Sequence, residues 1–232
     1  MSLGPIYLIP GGRPRDVKQM EQDFRTVLDA SEKLNPKIAY VGTANGDNKV
    51  FFQFMKSPML KAGAGKVTLV PIASKGADTQ MAKQILSEAD IVFLSGGEVE
   101  DGILPLRKTG LDVFLAELHN SGKPFFGVSA GCIMMGRNWV HWDVEDDDST
   151  ASLFECLNFV PMTFDTHCED EGWKELKCAL SLMGAGAKGY GLSTGGFYSA
   201  GSDGRLTSYR NDPAVFRNRD GIIETEAWHE KI

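Results

Sequence analysis

Long apolar runs are missing from this chain of 232 residues. None approaches the roughly 20 residues that a membrane-spanning helix needs. No basic segment followed by an apolar one marks a secretory signal. Cysteine is sparse: Cys132, Cys156, Cys168 and Cys178 are the only four, and no two form a C-x-x-C pair. That spacing excludes the common zinc and dithiol motifs, and a chain of this length needs no disulfide staples. Cys168 follows His167 directly, yet no further ligands stand at metal-binding spacing. An excess of positive charge is absent too. Lysine and arginine number 24 against 31 acids, a net charge of -7, which argues against a nucleic-acid partner. Internal repeats, low-complexity tracts and a clear linker are also lacking. These absences predict one domain over residues 1–232, cytoplasmic, with free thiols, no metal and no organic cofactor. They leave neither nucleic acid nor membrane as partner and allow a homodimer.

What is present is ordinary for a globular protein, with 42% hydrophobic and 24% charged residues. Five short apolar runs recur: Ile6 to Pro10, Ile38 to Gly42, Val67 to Ile72, Asp90 to Ser95 and Phe125 to Val128. Helical periodicity separates them. It covers Asp16 to about Lys33, a stretch with Phe51, Phe52, Phe54, Met55 and Leu60, Asp78 to Ser87, and a segment broken near Gly110 that ends at His119. Strands alternating with helices predict an α/β fold: a mostly parallel sheet with helices on both faces, in three layers. The second half is less regular. Asp170 to Met183 has helical spacing, and short strands around Tyr190, Phe197, Leu206 and Val215 suggest antiparallel pairing near the C-terminus.

Parallel sheets place ligands beyond the carboxyl ends of their strands. Three glycine-rich turns fall there: Gly11-Gly12, Gly96-Gly97 and Gly127-Val128-Ser129-Ala130-Gly131. The last fits the nucleophile elbow, a tight strand-to-helix turn that exposes one hydroxyl. A serine hydroxyl needs a base beside it. Of the four histidines, His167 stands at an apolar-to-polar transition just before a helix and is the first candidate. His141, between Trp139 and Trp142, is the second. His119 is expected at a surface or boundary position, and His229 in a solvated tail. A carboxylate should orient the base, and Asp143, Glu145, Asp146 and Asp165 are all candidates. An oxyanion needs two N–H donors, for which Ala130 and the pair Gly96-Gly97 are the candidates.

The series Phe93-Leu94-Ser95-Gly96-Gly97, Gly127-Val128-Ser129-Ala130-Gly131, Asp165-Thr166-His167 and Gly189-Tyr190-Gly191-Leu192 resembles the dipeptidase E and cyanophycinase family of serine peptidases. The resemblance runs from the first strand to about Leu206. It implies a fold like that of the flavodoxin and class I glutamine amidotransferase sheets, with Ser129 as nucleophile and His167 as base. It further implies an oxyanion hole at Gly97 and Ala130, and a third member in the loop after the elbow helix, where Asp143 and Glu145 lie. The implied activity is hydrolysis of a small peptide at an aspartyl or isoaspartyl amide through an acyl-enzyme, without a cofactor; the alternatives are an esterase that uses the same elbow and a non-catalytic relative that binds a small ligand. Gly96, Glu98 and Arg137 are the expected substrate contacts, Arg137 as reader of a carboxylate. The acidic loop from Asp143 to Asp148 would instead favour a cationic group. The sequence departs from the family at Glu98-Val99, where Asn or Asp and a small polar residue are usual. It departs again at Ser193-Thr194, where acids are usual.

Overall fold

The computed structural model describes residues 3–12, 17–144 and 147–229. The helix cap expected at Asp16 and the candidate acids Glu145 and Asp146 lie outside them. The first half alternates strand and helix: β1 (Ile6–Ile9), α1 (Val17–Asp29), β2 (Lys37–Val41), α2 (Lys49–Ala62), β3 (Lys66–Val70), α3 (Thr79–Glu88) and β4 (Ile91–Leu94). Then follow α4 (Val99–Thr109), α5 (Leu111–Asn120), β5 (Phe125–Val128) and the short α6 (Ala130–Met135). The break expected at Gly110 separates α4 from α5, and Gly110 closes α4 with φ 67°.

β1, β5, β4, β2 and β3 run parallel in one seven-stranded sheet, extended antiparallel by β10 (Phe197–Ala200) and β11 (Leu206–Arg210) in the order β11-β10-β1-β5-β4-β2-β3. The α/β fold, mostly parallel and with antiparallel strands near the C-terminus, is the one read from the sequence. The central strands are apolar throughout because both of their faces are covered. On β4, Ile91 and Phe93 pack with α1 and α2, while Val92 and Leu94 pack on the opposite face with α3 to α6. Tyr40, Phe93 and Phe126 stack across neighbouring strands at ring separations of 4.9 and 4.7 Å, and Phe24 of α1 meets Phe126 edge-on. α1 is tied to the sheet edge by charge as well. Asp23 is buried and takes two hydrogen bonds from the Arg210 guanidinium, at 2.9 and 2.8 Å.

Two smaller sheets complete the chain. β6 (Asn138–Trp142) and β7 (Ala151–Glu155) form a hairpin. β8 (Thr163–Thr166), β9 (Lys188–Leu192), β12 (Ala214–Arg219) and β13 (Ile222–Glu226) make a four-stranded sheet, ordered β13-β12-β9-β8, against which α7 (Lys174–Met183) packs. β8 and β9 are parallel, so the carboxyl end of β8 delivers its following residues to one edge of the elbow. His119 departs from its expected boundary position. It is buried, its Nε2 lies 2.9 Å from the Gly4 carbonyl, and its ring stacks on Phe159. Burial lowers its pKa, which suits a neutral structural ring. Among the described residues, no helix is long and apolar enough to cross a membrane.

Candidate active site

Ser129 ends β5 and precedes α6. Its backbone is in a sparsely populated region, φ 54° and ψ -123°, held by a hydrogen bond from its N–H to the Ile9 carbonyl. The strain is enforced by close packing behind it. A β-carbon at Gly131 would lie 2.2 Å from the Leu94 carbonyl, so only glycine lets α6 press against β4. The half-buried Ser129 consequently points its hydroxyl out of the sheet.

His167 follows β8 directly, also at positive φ (48°), with its N–H bonded to the Leu192 carbonyl of β9. This brings its Nε2 to 2.8 Å from Ser129 Oγ, within reach for proton transfer. His141, the second candidate, is held elsewhere. Its Nδ1 lies 2.8 Å from Glu100 Oε1 on α4 and its Nε2 3.3 Å from Asp143 Oδ1.

That pairing also corrects the expected third member. Asp143 is 81% exposed and bonds His141 rather than His167, because it stands at the tip of the β6–β7 hairpin. The other described acids of that loop are used locally: Asp147 accepts from Ser149, and Asp148 from the Trp142 indole. Asp165 is buried inside β8, with Oδ1 accepting from the Thr166 N–H and Oδ2 unpartnered. Burial pushes its pKa up to about 7, which makes it a poor fixed anion.

An acid that the sequence reading did not weigh is Glu175, in the first turn of α7. It accepts a 2.9 Å hydrogen bond from the Trp139 indole and is half-buried, and burial raises its pKa. Glu171 and Glu98 raise it further, whereas the charge of His167 favours its ionised form. Glu169, two residues past His167, accepts from the Thr194 N–H and hydroxyl and so pins the β9–β10 turn.

Asp165 sets a pH signature for the fold. An acid whose pKa is raised on folding contributes stability at low pH that is lost as pH rises through the folded value. Unfolding free energy should therefore fall between about pH 4 and pH 7 from this group. The variant Asp165→Asn should flatten that slope, with a difference on the order of a few kcal/mol, read from urea titrations at several pH values.

The loop after β4 faces Ser129 from the other flank. An ideal β-carbon on Gly96 would touch Ser129 Cβ at 3.2 Å. Gly97 has φ 142° and packs so closely on the loop before α2 that a β-carbon there would lie 1.9 Å from the Ala44 carbonyl. Asn45 braces this loop, its amide donating to Ser95 Oγ (2.6 Å) and the Gly96 carbonyl (2.9 Å). Neither the Gly97 nor the Ala130 N–H has a hydrogen-bond partner among the described residues. Glu98 stands at the N-cap of α4 with its side chain exposed, and its own N–H is bonded to Ala44.

Arg137 does not belong to this site. The elbow helix ends after six residues, at Met135, and the Arg137 N–H bonds the Met162 carbonyl. Its exposed side chain borders a separate groove with Asn138, Leu153 and Glu155. Among the described residues no cluster of histidine, cysteine or acids could hold a metal ion.

A cleft of about 670 Å³ opens from Ser129 toward α1 and α2. Its walls are Met20, Phe51, Phe54, Met55 and Val128, and its mouth is rimmed by Gly11, Gly12, Gly96 and Gly97.

The chain is 24% identical over 147 residues to a protein of Bacillus subtilis (strain 168) described as an uncharacterized peptidase, YgaJ. It is 28% identical over 134 residues to the imidazole glycerol phosphate synthase subunit HisH of Bacteroides fragilis. These matches cover 62% and 55% of this chain, and the chain spans about 60% and 65% of the relatives' own lengths. Two crystal structures share the fold with TM-scores of 0.66. One is a peptidase from an acI-B1 actinobacterium (15% identity, covering 100% of this chain and 97% of that one). The other is a candidate peptidase E protein from Listeria monocytogenes EGD-e (18%, covering 91% and 100%). The sequence model of peptidase family S51 matches residues 6–195, from β1 through the elbow and His167 to the turn before β10, and the chain belongs to that family.

Proposed function

We propose that this protein is a serine-dependent hydrolase of small peptides that works through an acyl-enzyme. The observation that carries the reading is the 2.8 Å contact between Ser129 Oγ and His167 Nε2 at a strained strand-to-helix turn. Ser129 Oγ attacks the amide carbonyl carbon while His167 Nε2 takes the hydroxyl proton. The negative charge on the former carbonyl oxygen is met by the N–H groups of Gly97 and Ala130, which have no other described partner. His167 then passes its proton to the amine nitrogen, the C–N bond breaks, and the acyl group remains on Ser129. Water attacks this ester, its proton goes to His167, and the same proton returns to Ser129 Oγ as the acid product leaves.

Glu175 takes the acid's part in this scheme. The two side chains interact through charge and not through a described hydrogen bond, since the Glu175 carboxylate is bonded by the Trp139 indole. The order in the chain is then serine, histidine, acid. Glu98 stands at the N-cap of α4 beside the oxyanion loop, and its exposed side chain makes no cap hydrogen bond and is not part of the cleft lining.

A fluorophosphonate probe tests the reading. It should label the folded wild-type protein on the peptide that contains Ser129 and leave Ser129→Ala unlabelled. A wild-type protein that resists the probe, or equal labelling of the variant, would contradict it.

A further inference from the structure

The cleft beside Ser129 has a chemical character that the hydrolytic scheme does not use. Phe51, Phe54 and Met55 stand at i, i+3 and i+4 on α2 and turn one apolar face toward it. Met20 of α1 and Val128 of β5 close the floor, both buried. Phe54 is 62% exposed, an unusual place for a phenylalanine with no part in the core. Most of the hydrogen-bonding groups of the two asparagines in the lining are occupied, the Asn48 amide nitrogen excepted. Asn48 Oδ1 caps α2 through the Val50 and Phe51 N–H groups. Asn45 gives its amide to Ser95 and Gly96, and its Oδ1 accepts from the Asn48 N–H. No charged side chain lines the cleft among the described residues.

The cleft also has a direction. It is bounded by Ser129 and by Gly96 and Gly97, the side from which the oxyanion is held; His167 is not part of its lining, and beyond Ser129 itself the lining meets the imidazole only at Gly11. A leaving amine must depart next to the imidazole that protonates it. The group that enters this cleft therefore belongs to the acyl half of the substrate, the part that stays on Ser129.

We propose that the cleft is the acyl-side specificity pocket and that it selects an apolar side chain, aromatic or long aliphatic, rather than a carboxylate. Burying an aspartate side chain against Met20, Phe51 and Met55 would strip its hydration without a described cation to replace it. A phenylalanine or leucine side chain gains from the same walls, and the two methionines adapt to its shape. This inference rests on Ser129 being the nucleophile. It departs from the aspartyl preference that the family resemblance implied.

The test is a series of dipeptides and amino-acyl p-nitroanilides with Phe, Leu, Ala or Asp at the acyl position. It is run beside phosphonate probes that carry a benzyl or a carboxymethyl group at the matching position. The expected result is kcat/KM for Phe and Leu at least 100-fold above that for Asp, with Ala between. Faster labelling of Ser129 by the benzyl probe should accompany it. Phe54→Ala, at an exposed position that the fold tolerates, should lower the Phe-to-Ala selectivity ratio about tenfold. Asp substrates or the carboxymethyl probe reacting as fast as the apolar ones would overturn the inference. That outcome would direct attention to Arg13 and Arg15, which follow Gly12 in the sequence. Labelling of Ser129 by neither probe, with no hydrolysis in the series, would instead remove the nucleophile, and the pocket's assignment with it.

Discussion

Ser129→Ala is expected to lower kcat for peptide hydrolysis by about 10⁴-fold or more while leaving the fold intact. The size follows from the scheme. Without the hydroxyl no ester can form, so the route through two smaller barriers is lost, and only binding and the oxyanion donors remain. The fold should survive because the Ser129 hydroxyl bonds His167 and supports no core contact. The strained turn is imposed by its surroundings, above all by the packing of Gly131 on the Leu94 carbonyl, and that packing is unchanged in the variant. Thermal melts of the two proteins should agree within about 1 kcal/mol of stability, the range of an ordinary surface change. Activity within tenfold of wild type would mean that another group attacks the carbonyl.

Gly97→Ala should cost 10²- to 10³-fold in kcat with a smaller effect on KM. A methyl group at this position would fall 1.9 Å from the Ala44 carbonyl, and the φ of 142° is one that alanine rarely adopts. The loop must move, and moving it turns the Gly97 N–H away from the place where the oxyanion develops. The same loop is held by the Glu98 N–H on Ala44 and by Asn45 on Gly96, so relief cannot be confined to one residue. The loss should appear in kcat because the donors act on charge that exists only in the transition state. Steady-state kinetics with a retained melting transition reads this out, and a kcat within threefold of wild type would exclude Gly97 as an oxyanion donor.

How much of this could be seen in the sequence depended on how local its cause was. The parallel strands were legible because the central ones are buried on both faces and so read as unbroken apolar runs, as in Ile91 to Leu94. The elbow and the paired glycines were legible because their steric demands fall on neighbouring residues. The second sheet was seen only as separate short strands. Its pairing of β8 with β9, and of β9 with β12, joins segments far apart in the chain, and no local pattern specifies that register. Sequence reading named β9 and β12 as strands, but neither β8 nor β13.

The acid near His167 shows the limit most clearly. The run from Asp143 to Asp148 attracted notice by composition, yet its described acids cap turns and bond His141 and Trp142. Glu175 looks like any acid in the first turn of a helix. What distinguishes it is half-burial under the β6–β7 hairpin and the Trp139 indole, which is a matter of tertiary packing. Arg137 was misplaced because the elbow helix stops early, at Gly136. The phenylalanines of α2 were legible as a helix, but not the fact that Phe51 and Phe54 line the cleft beside Ser129, Phe51 from a place against the core and Phe54 from an exposed one.

The central claim is that an acyl group rests on Ser129 during turnover. An activated ester substrate mixed with the enzyme and quenched in acid within milliseconds reads this directly by mass spectrometry. The expected result is a pre-steady-state burst of the leaving group, with the acyl mass on the proteolytic fragment that contains Ser129 and absent from Ser129→Ala. Steady turnover with no burst and no adduct, or an adduct on any other residue, would contradict it.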